Sequence, residues 1–127
     1  MGFVFYNPNP ECKRVGDCTV RAIAKATGQE WGKAYTAIAL QGFALGDMPS
    51  ANHVWGSYLK KIGFTRCVIP DECPDCYTVA DFAAEHPFGT YLLALQGHVV
   101  CVQNGSWYDT FDSGGEALLY YWTKKEG

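Results

Sequence analysis

A cysteine stands where the sequence predicts the start of a helix. The segment Gly16-Asp17-Cys18 precedes apolar residues that repeat at helical spacing. Gly16 permits a sharp bend, and Asp17 is expected to cap the helix with its carboxylate. A cysteine in the first turn of a helix lies at the positive end of the helix dipole, which favours thiolate over thiol. The segment therefore predicts an activated nucleophile, with a simple buried cysteine as the alternative.

A thiol nucleophile needs a base within hydrogen-bond reach and a group that orients the base. The chain has three histidines, His53, His86 and His98. His53 falls within a predicted helix as a solvated side chain, and His86 falls at a helix end, where histidine usually complements the dipole. His98 follows Gly97 and opens an apolar strand, which places a polar ring beside a core sheet. His98 is the preferred base, and a structural strand histidine is the alternative.

The predicted hairpin around Asn104-Gly105 selects the orienting group, because this dipeptide is a strong signal for a two-residue turn. Such a turn pairs Gln103 with Ser106. Alternation along the two strands then places Asp109 on the same face as His98, as a diagonal neighbour about 7–8 Å away. Asp109 is the predicted orienting carboxylate. Asp112 is the second choice, since it should point to the other face unless a bulge or a one-residue slip reverses the pattern.

The spacing of apolar residues changes along the chain from a helical period to a strand period. Helical spacing and capping signals predict four helices, and alternating or continuous apolar runs then predict strands. The predicted helices cover residues 17–28, 29–40, 50–61 and 79–85, and the predicted strands cover 64–69, 89–95, 98–103, 106–111 and 118–123. Residues 7–10 are expected to be an extended surface entry, and residues 41–49 and 70–77 are expected to be loops. The pattern predicts an α+β domain with helices on a C-terminal antiparallel sheet.

Composition limits the class of protein. The 127 residues suit a single domain spanning 1–127, and 48% hydrophobic with 18% charged residues indicates a globular chain. A net charge of −3 without a basic run disfavours nucleic acid as a partner. No segment approaches the roughly 18 apolar residues of a membrane span. Six cysteines without a recognisable export signal favour reduced thiols in the cytoplasm.

Four segments carry a resemblance to a known group of proteins. They are GDCTVRA at 16–22, MPSAN at 48–52, GHVV at 97–100 and YDTFDS at 108–113. These resemble the GDCxxRA, MPSxN, GHVV and YDT[WF]DS motifs of a small family from bacteriophages and Firmicutes. The order of cysteine on a helix, histidine on a strand and Asp on the next strand is in turn similar to papain-like cysteine peptidases. The resemblance covers nearly the whole chain and implies a papain-like fold.

The resemblance implies a Cys18–His98–Asp109 triad that hydrolyses an amide bond without a cofactor. The substrate would be a peptide or protein, including a host protein; amidase, deamidase and removal of a ubiquitin-like conjugate are alternatives. Papain-like enzymes carry a glutamine upstream of the cysteine as an oxyanion donor, whereas Cys12 occupies that position here. The Cys18 backbone amide would then act with Asn9 or Asn7, and Lys13 is a third candidate. Arg21 is expected to brace a loop, or to pair with Asp112 or with a substrate carboxylate.

Two alternatives belong to other functional classes. Cys67, Cys73 and Cys76 have part of the spacing of a structural zinc site, but a second Cys-x-x-Cys pair is missing. A binding protein that keeps the peptidase shape without cleaving its partner, such as a host factor, would use exposed aromatic side chains. The candidates are dense in this chain, although aromatic residues more often fill cores: Trp55, Trp107, Tyr120, Tyr121 and Trp122. The sequence does not indicate an oligomeric state.

Overall fold

The computed structural model describes residues 2–69 and 77–124, which form four helices and a six-stranded sheet. Within these residues, no helix has both the length and the apolar character needed to cross a bilayer. In chain order the elements are β1 (Gly2–Phe5), α1 (Cys18–Thr27), α2 (Trp31–Leu45), α3 (Asn52–Lys61), β2 (Phe64–Val68), α4 (Val79–Glu85), β3 (Thr90–Leu95), β4 (His98–Gln103), β5 (Ser106–Asp109) and β6 (Leu118–Lys124). The predicted α+β class is confirmed.

The sheet has the strand order β1-β5-β4-β3-β6-β2. β1 runs parallel to β5, and the remaining neighbours are antiparallel. The strands β2 to β6 form the predicted antiparallel sheet, and the N-terminal strand β1 adds a parallel edge that makes the whole sheet mixed. No strand was predicted before residue 64, but Gly2–Phe5 pair with Ser106–Asp109. This pairing joins distant parts of the chain, so no local pattern could predict it.

Helices cover both faces of the sheet. Helices α1, α2 and α3 enclose one apolar cluster against the sheet, and α4 encloses a second cluster on the other side. Alternate side chains of β4 divide between them: Val99 and Cys101 join the first cluster, whereas Val100 and Val102 join the second. The strand that begins at His98 is thus buried on both faces, which fixes its position relative to α1.

Two short-range signals gave correct elements. Thr78 caps α4 in a capping box with Asp81, as the position of Thr78 before the apolar run predicts. Asn104 and Gly105 both have positive φ, 51° and 81°, and Gln103 pairs with Ser106 across the turn. The predicted register of the β4–β5 hairpin is confirmed, and this register determines which side chains can reach His98.

Helix α2 is longer than predicted. It continues through Gly42 to Leu45, although glycines at 42 and 46 had indicated a loop. Gly42 is buried, and a Cβ there would lie 2.8 Å from the carbonyl oxygen of Asp47 and 3.2 Å from the nitrogen of Pro49. The glycine thus permits a close approach of the following loop rather than ending the helix. The start of α3 is also later than predicted, since Ala51 rather than Ser50 precedes it as the N-cap.

Candidate active site

Cys18 is the first residue of α1, and its side chain is half-buried. Burial raises the pKa of the thiol, but hydrogen bonds from His98 and from the backbone N–H of Val99, together with the charge of His98, outweigh burial. The pKa of Cys18 is therefore lowered from its ordinary value of 9.0. The side chain of Thr19 lowers it further through a hydrogen bond. The sequence prediction of an activated thiol at the helix start agrees with these contacts.

His98 begins β4 and contacts both other members of the predicted triad. Its Nε2 lies 2.6 Å from Oδ2 of Asp109, and its side chain also hydrogen-bonds Cys18. Burial lowers the pKa of the imidazole, but the hydrogen bonds and charges of Asp109 and Cys18 outweigh burial and raise the pKa to about 9. A raised histidine pKa beside a lowered cysteine pKa favours the thiolate–imidazolium ion pair over the neutral pair.

Asp109 is the last residue of β5 and is only 1% exposed. Besides His98, its carboxylate accepts hydrogen bonds from the hydroxyl of Ser113 at 2.8 Å and from the backbone N–H of Thr110 at 2.8 Å. Burial raises the pKa of this carboxyl, but His98 and these two donors outweigh burial, and the pKa lies below its usual 3.8. The structure thus brings His98 and Asp109 together as the hairpin register predicts.

Asp112, the alternative third member, hydrogen-bonds residues other than His98. Its Oδ1 accepts hydrogen bonds from the indole Nε1 of Trp107 at 2.8 Å and from the backbone N–H of Gly114 at 3.0 Å. These hydrogen bonds stabilise the loop that follows β5, and none of them is made to the imidazole of His98. The ring that does pack on His98 is Phe111, with 5.0 Å between ring centroids.

Arg21 forms a buried connection that the sequence reasoning missed. Its guanidinium donates to the carboxylate of Asp17 and, through Nη2, to Oδ1 of Asp109 at 3.2 Å. Both Arg21 and Asp17 are less than 10% exposed. The expectation that Arg21 pairs with Asp112 is therefore wrong. The Asp17–Arg21 spacing of four residues on one helix was the available signal, because such residues are neighbours on the helix surface.

Asp17 does not cap α1 with its side chain. Its carboxylate is instead occupied by Arg21 and by the indole Nε1 of Trp31, 2.9 Å from Oδ2. The capping prediction failed because a buried cation offers a carboxylate a stronger partner than a backbone N–H does. Asp17 therefore ties α1 to the start of α2 and holds Arg21 towards Asp109.

The loop before α1 contains the predicted oxyanion donors. Asn9 is largely buried, and its Oδ1 accepts from the backbone N–H of Glu11 at 2.9 Å and of Lys13 at 3.3 Å. These bonds leave the Asn9 Nδ2 group without an acceptor among the described residues. The Nδ2 of Asn7 donates to the carbonyl of Lys13 at 3.2 Å. Asn9 is thus the better donor, and Lys13 pairs its ammonium with exposed Glu11 at 3.4 Å.

A cavity of about 520 Å³ opens beside the first turn of α1. Asp17 and Thr19, the residues on either side of Cys18, line it together with Asn9 from the incoming loop. Its other walls come from the same incoming loop and from α2, where the rings of Trp31 and Tyr35 stack with their centroids 5.1 Å apart. The cavity therefore adjoins the chain segment that carries Cys18, although neither Cys18 nor His98 lines it.

The zinc alternative falls partly outside the described residues. Cys73 and Cys76 lie in the segment 70–76, whereas Cys67 lies on β2 with its Sγ 3.8 Å from the carbonyl oxygen of Thr65. Residues 2–69 and 77–124 contain no cluster of three metal-binding side chains. The other two histidines are away from the triad, since His53 contacts Asp47 at 3.0 Å and His86 contacts the carbonyl of Phe82 at 2.8 Å.

The aromatic residues proposed for partner binding are largely internal. Trp55 and Trp122 are buried in the first apolar cluster, with their rings packed edge to face. Trp107 and Tyr121 pack against the second cluster. These four residues thus fill or border the core, as aromatic residues more often do, and do not support the alternative of an exposed aromatic binding face.

No protein-family model, curated protein or solved structure matches this chain. The chemistry of the site is therefore the basis for inferring a function.

Proposed function

We propose that this protein is a thiol hydrolase of the cysteine-peptidase type, with a papain-like arrangement of nucleophile, base and carboxylate. Cys18 would be the nucleophile, His98 the general base and acid, and Asp109 the group that orients the imidazole. The observation that carries the proposal is that one histidine contacts both the thiol and a buried carboxylate. The papain-like assignment rests on the same order along the chain and on a cysteine-bearing helix packed against the histidine-bearing strand.

The hydrogen-bond partners of His98 determine the role of each of its ring nitrogens. The carboxylate of Asp109 can only accept, so Nε2 of His98 must carry a proton. In the neutral ring, Nδ1 then has the lone pair that can take the thiol proton from Cys18. This tautomer is the one that a general base for Cys18 needs, and Asp109 keeps it in place.

The reaction begins from the ion pair, in which the proton of Cys18 Sγ has already moved to Nδ1 of His98. The thiolate attacks the amide carbonyl carbon, and the electron pair of the C=O bond moves to oxygen. The backbone N–H of Cys18 and Nδ2 of Asn9 would donate to this oxyanion. When the tetrahedral intermediate collapses, the C–N bond breaks and Nδ1–H of His98 protonates the departing amine.

The acyl-enzyme is hydrolysed with His98 again acting as the base, this time towards water. His98 takes a proton from water, and the hydroxide attacks the thioester carbonyl. The C–S bond then breaks, the acid product leaves, and the Cys18 thiolate and imidazolium are restored. Peptide amides are the preferred substrate class. A side-chain amide or an isopeptide bond would use the same steps, so substrate assays must distinguish them.

Site-resolved alkylation with iodoacetamide tests the proposal. At about pH 6, Cys18 should react faster than in the His98→Ala variant, by about tenfold for each unit by which His98 lowers the pKa of Cys18. Cys12 is exposed and is not a member of the triad, so its rate in the same sample is the internal reference. Cys101 is fully buried with its pKa raised to about 12, so it should remain unlabelled in folded protein.

Equal rates for Cys18 in the wild type and in His98→Ala would contradict the proposal. An activated Cys18 that turns over no amide in a peptide library would instead favour a binding protein that keeps the peptidase arrangement.

A further inference from the structure

We infer that the cavity beside α1 binds an apolar, uncharged side chain of the substrate residue adjoining the scissile bond, an inference that rests on the proposed function. The position of the cavity is the first argument. Asp17 and Thr19 both line it and flank Cys18 directly in the chain. Cys18 and His98 do not line the cavity themselves, so we place in it the side chain of a substrate residue that adjoins the scissile bond and reaches past the first turn of α1.

The lining determines the chemical class of the occupant. The walls are formed chiefly by apolar and aromatic side chains from three segments: Val15, Val20, Trp31, Tyr35, Ile38 and Pro49. A volume of about 520 Å³ is large enough for one aromatic or large aliphatic side chain with the adjoining main chain. The Trp31–Tyr35 stack provides a flat wall against which an aromatic ring can pack.

The charged groups of the lining are already occupied. The carboxylate of Asp17 binds Arg21 and the indole of Trp31, and Glu11 pairs with Lys13 at the exposed rim. A charged substrate side chain would enter this cavity without a free partner and would lose its hydration. The cavity should therefore select against Glu and Lys as well as favour Phe and Leu.

Electrophiles with and without a side chain test the inference. We would measure second-order rates of Cys18 modification by acetyl-Phe, acetyl-Gly and acetyl-Glu chloromethyl ketones, and by N-benzylchloroacetamide against chloroacetamide. The two series place a ring on opposite sides of the reacting carbon. In at least one series the ring should accelerate modification at least about tenfold, as expected for burying an aromatic side chain, and Glu should give no acceleration.

A matched pair of variants on α2 locates the effect. Tyr35 lines the cavity and Leu40 does not, although both are large, exposed hydrophobic residues of the same helix. Tyr35→Ala should remove most of the preference for the ring, and Leu40→Ala should leave it unchanged. Equal effects of the two variants, or no preference in either series while iodoacetamide still finds Cys18 activated, would overturn the inference and leave the proposed function standing.

A binding measurement that needs no chemistry separates the two proposals. In Cys18→Ala protein, N-acetylphenylalanine amide should shift the NMR signal of the Trp31 indole N–H, assigned by comparison with Trp31→Phe, and N-acetylglycine amide should not. A selective shift together with an unactivated Cys18 would support the cavity and reject the hydrolase. The absence of any selective shift would count against the cavity itself.

Discussion

The guanidinium of Arg21 lies 3.2 Å from the carboxylate of Asp109, 88 residues further along the chain. The same carboxylate contacts His98 through its other oxygen, at 2.6 Å. Asp109 is thus shared between a permanent cation on α1 and an ionisable ring on β4. Arg21 binds one oxygen of the carboxylate, so that the second oxygen remains available to the imidazole.

Loss of the Asp109 carboxylate should affect both stability and reactivity. Asp109→Ala leaves Arg21 and His98 buried with a partner missing, which should cost about 3–5 kcal/mol of unfolding free energy, measured by urea denaturation. Asp109→Asn retains a hydrogen-bond acceptor and should cost less. In both variants iodoacetamide labelling of Cys18 at neutral pH should slow, because the imidazolium loses its counter-charge.

Asp112→Ala is the matched control, since Asp112 is exposed and bonds Trp107 and Gly114 instead of His98. It should cost on the order of 1 kcal/mol and leave Cys18 labelling unchanged. An equal loss of Cys18 reactivity in the two aspartate variants would argue that the loop, and not the carboxylate, matters.

Replacing Arg21 by Met should destabilise the fold by a similar amount, about 3–5 kcal/mol near neutral pH. In the folded wild type the pKa of Asp109 is depressed, so its ionised form adds stability above its ordinary value of 3.8 and loses it as the pH falls. Without Arg21 the buried charge is less compensated, so the deficit should shrink in acid, where Asp109 is protonated.

Urea denaturation of Arg21→Met across the acid range measures this dependence. Arg14→Met removes an exposed arginine that lies over the ring of Phe5 and should have little effect at any pH. A deficit for Arg21→Met that stays constant from neutral pH into acid would show that lost packing, and not lost charge, is responsible.

The imidazole of His98 should titrate near pH 9 when followed by NMR. Because the raised pKa means that protonated His98 stabilises the folded state, this stabilisation is complete below the ordinary value of 6.5 and disappears as the pH rises through about 9. Cys18→Ala and Asp109→Asn each remove a partner that raises the pKa, so each should lower the midpoint. A midpoint that is insensitive to both substitutions would refute the coupling.

Asn9→Asp should separate the donor of the oxyanion site from the loop that carries it. The substitution keeps the oxygen that accepts from Glu11 and Lys13 but removes the Nδ2 donor. If Nδ2 stabilises the oxyanion, hydrolysis of a peptide p-nitroanilide should fall about 10²–10³-fold in kcat. Labelling of Cys18 by iodoacetamide forms no oxyanion and should change far less.

Asn7→Asp introduces the same charge into the same loop but removes only the bond to the Lys13 carbonyl. It should reduce kcat by much less than Asn9→Asp. Similar losses in both variants would indicate an electrostatic effect of the added charge on the site.

Local signals predicted the parts of the site that lie close in sequence. The Asn104-Gly105 turn fixes the register of β4 and β5, and this register was enough to choose Asp109 over Asp112. A cysteine at a helix start was likewise readable from Gly16, Asp17 and the apolar spacing that follows. Each of these depends on backbone preferences within a few residues.

The features that the sequence did not predict depend on tertiary contacts. The Arg21–Asp109 pair and the parallel pairing of β1 with β5 join residues from opposite ends of the chain. Gly42 predicted a loop because glycine is frequent in loops. In the folded protein it instead lies in helix α2 and permits the carbonyl of Asp47 to approach the helix. Local propensity cannot distinguish these uses of a residue, because the deciding neighbour is supplied only by folding.

The backbone N–H of Val99 and the ring of His98 reach Cys18 only when α1 is seated on β4. In a denatured chain both contacts vanish, and the sulfur reverts to the behaviour of an unassisted thiol. The fraction of Cys18 that is labelled rapidly in mild acid would consequently measure the fraction of folded protein. The same alkylating reagent could then follow the refolding of this protein in time.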